Sequence, residues 1–150
     1  MALYYLETSA LVKLYIREPG TDQLLRLTKS RTDQFAVLSI TQVEFRSAVR
    51  RRMRAGDLDQ TLATSLIQGF ARHLEAIFLR QTLSEGVMEV ACDLLDRHSL
   101  RAYDAVQLAG CLVLEASRAA ERTVFVCSDA ALLDAAQSEH LEILNPVTAP

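Results

Sequence analysis

Apolar positions along the chain follow two alternating rhythms. Short runs in which nearly every residue is aliphatic, aromatic or β-branched occur at "LYYLE" (residues 3–7), "FAVLS" (35–39), "TVFVC" (123–127) and "LEIL" (141–144). Their length and lack of helical spacing predict buried strands. "AIFLR" (76–80) is a further candidate strand. Between these runs, apolar residues at three- and four-residue spacing predict helices. They end near Ile16, Ser30, Ala55, His73, His98, Ala120 and Ser138.

Polar punctuation sharpens several boundaries. Pro19 and Gly20 break the first helix, and the second starts near Asp22. Ser39 with Gln42 has the spacing of a capping box, and Gly56 closes the helix it would open. Asp57 with Gln60 predicts the next start, Ser84 the one after, and Asp129 an N-cap following the "TVFVC" strand. A further helix starts near Tyr103, and Asn145-Pro146 ends the last strand.

Strands alternating with helices predict a mostly parallel sheet covered on both faces. Ligands of such sheets bind outside the carboxyl ends of the strands. Glu7, at the end of the first strand, is therefore placed where chemistry is expected.

Composition limits the function classes. The 150 residues suit one domain over residues 1–150, with half of them hydrophobic and 23% charged. No apolar run approaches the ~20 residues of a membrane span, and no leader pattern opens the sequence, so a cytoplasmic protein with no membrane association is expected. Cys92, Cys111 and Cys127 lie among apolar residues without CxxC spacing, and are expected to be buried free thiols. His73, His98 and His140 are too scattered for a metal set. A net charge of −3 argues against a surface coated with positive charge for bulk nucleic-acid binding. It leaves room for a local basic run, "RSAVRRRMR", with Arg46, Arg50, Arg51, Arg52 and Arg54. That run reads either as a solvated helix face or as a contact to phosphates or an acidic partner.

The α/β reading brings four carboxylates to one sheet edge. Glu7 closes the first strand, Glu44 follows the second, Asp104 opens the most apolar helix, and Asp129 follows "TVFVC". Four anions at one edge repel each other, and a hard divalent cation, Mg²⁺ or Mn²⁺, resolves that repulsion with oxygen ligands. The competing reading is four unrelated caps and surface acids.

The stretches "YYLETSALVKLYIREPGTDQL", "SITQVEFRSAVRRR", "HSLRAYDAVQLAGCLVL" and "VFVCSDAALLDAAQSEHLEILNP" together resemble a PIN domain, and most of all the VapC-type toxin ribonucleases of prokaryotic toxin–antitoxin pairs. The resemblance covers nearly the whole chain and is thinnest from Gly56 to Thr82. It implies a three-layer α/β/α sandwich around a central, mostly parallel sheet, and Mg²⁺- or Mn²⁺-dependent hydrolysis of single-stranded RNA. It places the family's four acids on Glu7, Glu44, Asp104 and Asp129, and its hydroxyl on Ser9. Glu7, Asp104 and Asp129 would hold the ion. Glu44 would ligate it or activate water, and Ser9 would support the site. A small antitoxin partner and a homodimer are also implied. One position departs from the family, which has aspartate where this chain has Glu7. The alternative that follows is a weakened module that binds RNA or a protein without efficient hydrolysis. Lys13, one turn past Ser9, is expected at solvent, and Arg101 is expected to pair with an acid near Asp104.

Other acidic α/β sites fit less well. A receiver domain needs paired acids after its first strand and a lysine after a later one. A haloacid-dehalogenase-type phosphatase needs an aspartate two residues past the first, where Ser9 stands. A pure interaction module remains the rival outside enzymes, and would bind no metal.

Overall fold

The computed structural model describes residues 1–148. Five parallel strands form its sheet: β1 (Ala2–Leu6), β2 (Gln34–Leu38), β3 (Leu79–Gln81), β4 (Arg122–Val126) and β5 (Glu142–Leu144), in the spatial order β3-β2-β1-β4-β5. β1 is central and entirely buried, and the topology reverses there: successive strands leave it first toward β2, then toward β4. Such a reversal opens a crevice at the carboxyl ends of the strands.

Two-residue alternation along the strands divides the core. Leu3 and Tyr5 of β1, Ala36 and Leu38 of β2 and Phe125 of β4 face one layer. That layer comprises α5 (Glu85–Arg97), α6 (Ala102–Ser117) and α7 (Ala130–Ser138). Tyr4 and Leu6, Phe35 and Val37, and Val124 and Val126 face the opposite layer. It comprises α1 (Thr8–Val12), α2 (Thr21–Leu27), α3 (Thr41–Arg54) and α4 (Gln60–Ala76). The result is the expected three-layer α/β/α sandwich. Each large apolar side chain withdrawn from water here stabilises the fold by about 1.5–3 kcal/mol.

Close approach of α6 to the sheet depends on Gly110. A Cβ there would lie 2.6 Å from the Tyr5 hydroxyl and 2.9 Å from Leu38 Cδ1. Glycine thus lets the helix settle against β1 and β2.

Four sequence expectations are corrected at element boundaries and surfaces. Ser39 does not cap α3. Its hydroxyl accepts from the Leu83 backbone N–H at 3.0 Å, joining β2 to the segment after β3, and Ile40 stands at the N-cap without a side-chain bond. Asp59, not Asp57, caps α4 by accepting from Leu62 N at 2.7 Å. That helix runs on to Ala76, which delays β3 to Leu79. Among the thiols, Cys111 and Cys127 are buried but Cys92 is exposed. No helix among the described residues is long and apolar enough to cross a membrane.

Candidate metal and nucleic-acid site

A cavity of about 900 Å³ opens at the carboxyl edge of β1, with walls from α1, α3 and the start of α6. Glu7, Ser9, Glu44 and Asp104 all line it. The backbone explains their arrival. Leu6 is in register with Val126, and the Glu7 N–H still donates to the Val126 carbonyl at 3.0 Å, so Glu7 is held at the sheet edge while its φ/ψ turn the chain into α1.

Glu7 is the N-cap of α1. Its Oε2 accepts from the Ser9 N–H at 2.9 Å and from the Ser9 hydroxyl. Ser9 Oγ also accepts from Ser128 N at 3.1 Å, tying α1 to the segment after β4. The Glu7 side chain is nevertheless buried, with 6% of the residue exposed. Burial raises its pKa, the Ser9 bonds oppose that rise, and the nearby Glu44 charge adds to it.

Glu44 lies in the first turn of α3, and is fixed from two directions. Gln107 Nε2 donates to Glu44 Oε1 at 2.6 Å, and the Thr8 hydroxyl donates to the same oxygen at 3.1 Å. Burial raises the Glu44 pKa, these two bonds oppose the shift, and the Asp104 charge raises it further. Gln107 is fully buried in α6. Its amide also lies 3.0 Å from Thr41 Oγ1 and 3.2 Å from Thr8 Oγ1, and its carbonyl accepts from the Tyr5 hydroxyl at 3.1 Å. Polar residues from β1, α1, α3 and α6 therefore meet at one amide.

Asp104 sits in the first turn of α6, and pairs with Arg101 Nε at 3.3 Å. Asp129 is placed differently. Its Oδ1 accepts from Leu132 N at 3.0 Å as the N-cap of α7, and its neighbour Ser128 lines the cavity. Three of the four expected acids thus share the cavity wall, while the fourth stands beside it with one oxygen committed to a helix end.

Sequence reading missed Thr8, Thr41, Gln107 and Tyr5. Gln107 alone carried a signal: it is the polar interruption in "AVQLAGCLVL", three residues after Asp104 and thus on the same helix face. It also misplaced Lys13, which is buried rather than solvent-exposed, with Nζ 2.8 Å from Glu18 Oε1. Of the basic run, Arg51 and Arg52 line the cavity, and Arg46 lines a separate groove between α3 and α4.

The cavity offers a divalent cation oxygen donors but no ready-made cage. Among the described residues, no three Asp, Glu, His or Cys side chains close on one point as a cage. Mg²⁺ needs no such cage, because one or two carboxylates with water and substrate oxygens complete its shell. The hard oxygen donors suit that ion. Ser128 Oγ is buried without a hydrogen-bond partner among the described residues, an unfilled polar position in the cavity wall.

Comparison with known proteins supplies the family. The PIN domain family matches residues 4–135. No curated protein sequence matches. Solved structures do. VapBC2 from Rickettsia felis, bound to a DNA fragment from its promoter, aligns with TM-score 0.65 and 15% identity over 95% of this chain and 98% of that chain. A toxin–antitoxin complex from Klebsiella pneumoniae aligns with TM-score 0.65 and 17% identity over 97% and 98% of the two chains. DNA-bound VapBC from Salmonella typhimurium aligns with TM-score 0.64 and 13% identity over 97% and 99%. These likenesses show the fold, and the match over residues 4–135 shows that the chain belongs to the PIN domain family.

Proposed function

We propose that the protein is a Mg²⁺- or Mn²⁺-dependent endoribonuclease, the toxin of a toxin–antitoxin pair. The observation that carries this reading is the gathering of Glu7, Glu44 and Asp104 on one cavity from three different elements, with two of the carboxyls raised in pKa by burial. Membership of the PIN family and the toxin–antitoxin assemblies among the structural neighbours support it.

In this reading Glu7, Asp104 and Asp129 hold the ion directly or through water, with Glu44 as a further ligand. When bound, the ion offsets charge on the phosphodiester and eases deprotonation of water. Glu44 has a second role available. Thr8 and Gln107 both bond its Oε1, which leaves Oε2 to accept a proton from water at the cavity. Ser9 keeps the Glu7 carboxylate turned toward the site. In the same reading single-stranded RNA is the substrate, a small antitoxin is the protein partner, and the working unit is a homodimer over one domain.

A second reading is favoured by one observation. Glu7 replaces the family's aspartate, and its Oε2 is engaged by Ser9, so the longer side chain is partly satisfied within the protein. On that reading the cavity binds RNA or a partner and cleaves poorly.

Incubating purified protein with single-stranded RNA in EDTA, Mg²⁺ or Mn²⁺ tests both. Cleavage that requires the metal and is lost in Asp104→Asn supports the nuclease. Cleavage in EDTA that survives Asp104→Asn contradicts the metal-site reading, and inert wild type alongside inert Glu7→Asp favours the binding module.

A further inference from the structure

The acidic end of the cavity has a proposed role, but its opposite end is also built. Lys13, with 7% of the residue exposed, places Nζ 2.8 Å from Glu18 Oε1 on the cavity wall. The other oxygen of the same carboxylate, Oε2, lies 2.6 Å from Arg52 Nη2. Arg51 lines the cavity beside them, so this wall carries Lys13, Arg51 and Arg52 against Glu18. Among the described residues Arg52 has only a looser second partner, Asp57 at 3.7 Å.

The clamp is rigidly mounted. The Glu18 N–H donates to Thr21 Oγ1 at 3.1 Å, and that hydroxyl donates to the Lys13 carbonyl at 2.8 Å. Gly20, at φ +97°, lets the turn pass close by: a Cβ there would lie 3.1 Å from the Pro146 carbonyl and 3.2 Å from Lys13 Cδ. The turn carrying Glu18 is therefore pinned to the residue whose charge it neutralises. Two cations, one at the C-cap of α1 and one on α3, each take one oxygen of a single anionic group. A phosphodiester presents two free oxygens in the same way.

We propose that Lys13 and Arg52 form a phosphodiester subsite that Glu18 fills until a single-stranded nucleic acid displaces it. The inference rests on the nucleic-acid reading of the cavity. Position supports it. Arg52 lies eight residues beyond Glu44 on α3, about 12 Å along the helix at ~1.5 Å per residue. The subsite therefore takes a phosphate away from the one at the acids, and a nucleic-acid backbone supplies both groups. Glu18 acts as an internal competitor that weakens binding of strands too short or poorly seated to displace it.

The test is binding of a short, fluorescently labelled single-stranded RNA in EDTA, followed by anisotropy across a salt series. Arg52, at 36% side-chain exposure, is replaced rather than buried Lys13 so that folding is kept. Glu18→Gln is expected to tighten binding by about fivefold, the scale of one partly exposed ion pair. Arg52→Gln is expected to weaken binding and to reduce the slope of log affinity against log salt by about 0.7, one single-strand phosphate contact. Unchanged affinity and slope in both variants overturn the subsite, and if wild type still cleaves RNA with Mn²⁺ the nuclease reading stands. Failure of all three proteins to bind RNA in EDTA overturns the subsite, and the nuclease reading falls with it only if wild type also cleaves no RNA with Mn²⁺. A polyglutamate peptide that binds more tightly than RNA, with Glu18→Gln strengthening only the peptide, overturns the subsite in favour of an acidic protein partner.

Discussion

At Glu7 a single carboxylate closes β1, caps α1 and lies buried beside Glu44. Aspartate is among the preferred N-cap residues and glutamate is not, so Glu7→Asp keeps the cap while withdrawing the carboxylate by one methylene. It is expected to retain or increase RNA cleavage, measured against wild type under Mn²⁺. The pH dependence also follows from burial. Glu7 and Glu44 both have folded-state pKa values raised above the unfolded ones. Their stabilising contribution is thus complete below the ordinary carboxylate range, and is lost as pH rises through the raised values. In EDTA, melting temperature should fall over that window, and Glu7→Gln should flatten the fall and melt higher than wild type above it. An equal pH slope in both proteins would contradict this account of the Glu7 charge. Gln107→Leu is a separate case: it strands the Tyr5 hydroxyl and loosens Glu44, and is expected to cost about 1–3 kcal/mol in denaturant unfolding.

The elements explain what sequence pattern could and could not reveal. The sheet was legible because buried parallel strands leave dense apolar runs, Glu7, Glu44 and Asp129 stood out because they follow those runs, and Asp104 because it opens an apolar helix. Asp129 was placed correctly as a cap, since a side chain that bonds its own helix leaves a local signature. Ser39 looked like a cap for the same reason, yet a partner 44 residues away claims its hydroxyl. Lys13 was opaque because the turn before α2 folds Glu18 back onto it, and Gln107, visible only as a polar break in an apolar helix, has partners on β1, α1 and α3 that no local spacing encodes. Two substitutions test the element-level account. Asp129→Asn preserves a good N-cap, so melting should be unchanged while RNA cleavage falls. Unchanged cleavage would make Asp129 a cap alone. Gly110→Ala drives a methyl into Tyr5 and Leu38, and overpacking of this kind is expected to cost about 1–3 kcal/mol.

Across the whole molecule, charge is sorted along one cavity. Glu7, Glu44 and Asp104 stand toward one end with Arg101 paired to Asp104, and Lys13, Arg51 and Arg52 toward the other around Glu18, on a chain whose net charge is only −3. Bulk composition conceals this separation, because the two ends nearly cancel. The acidic end holds carboxylates at a cost in stability that a bound cation would offset, since any ligand of the folded state stabilises it by mass action. Binding of Mn²⁺, followed by the loss of its free-ion paramagnetic resonance signal, tests the central claim most directly. The account predicts saturable binding in wild type that is lost or strongly weakened in both Glu44→Gln and Asp104→Asn. Wild type that leaves the Mn²⁺ signal unchanged, or variants that bind as wild type does, would contradict it.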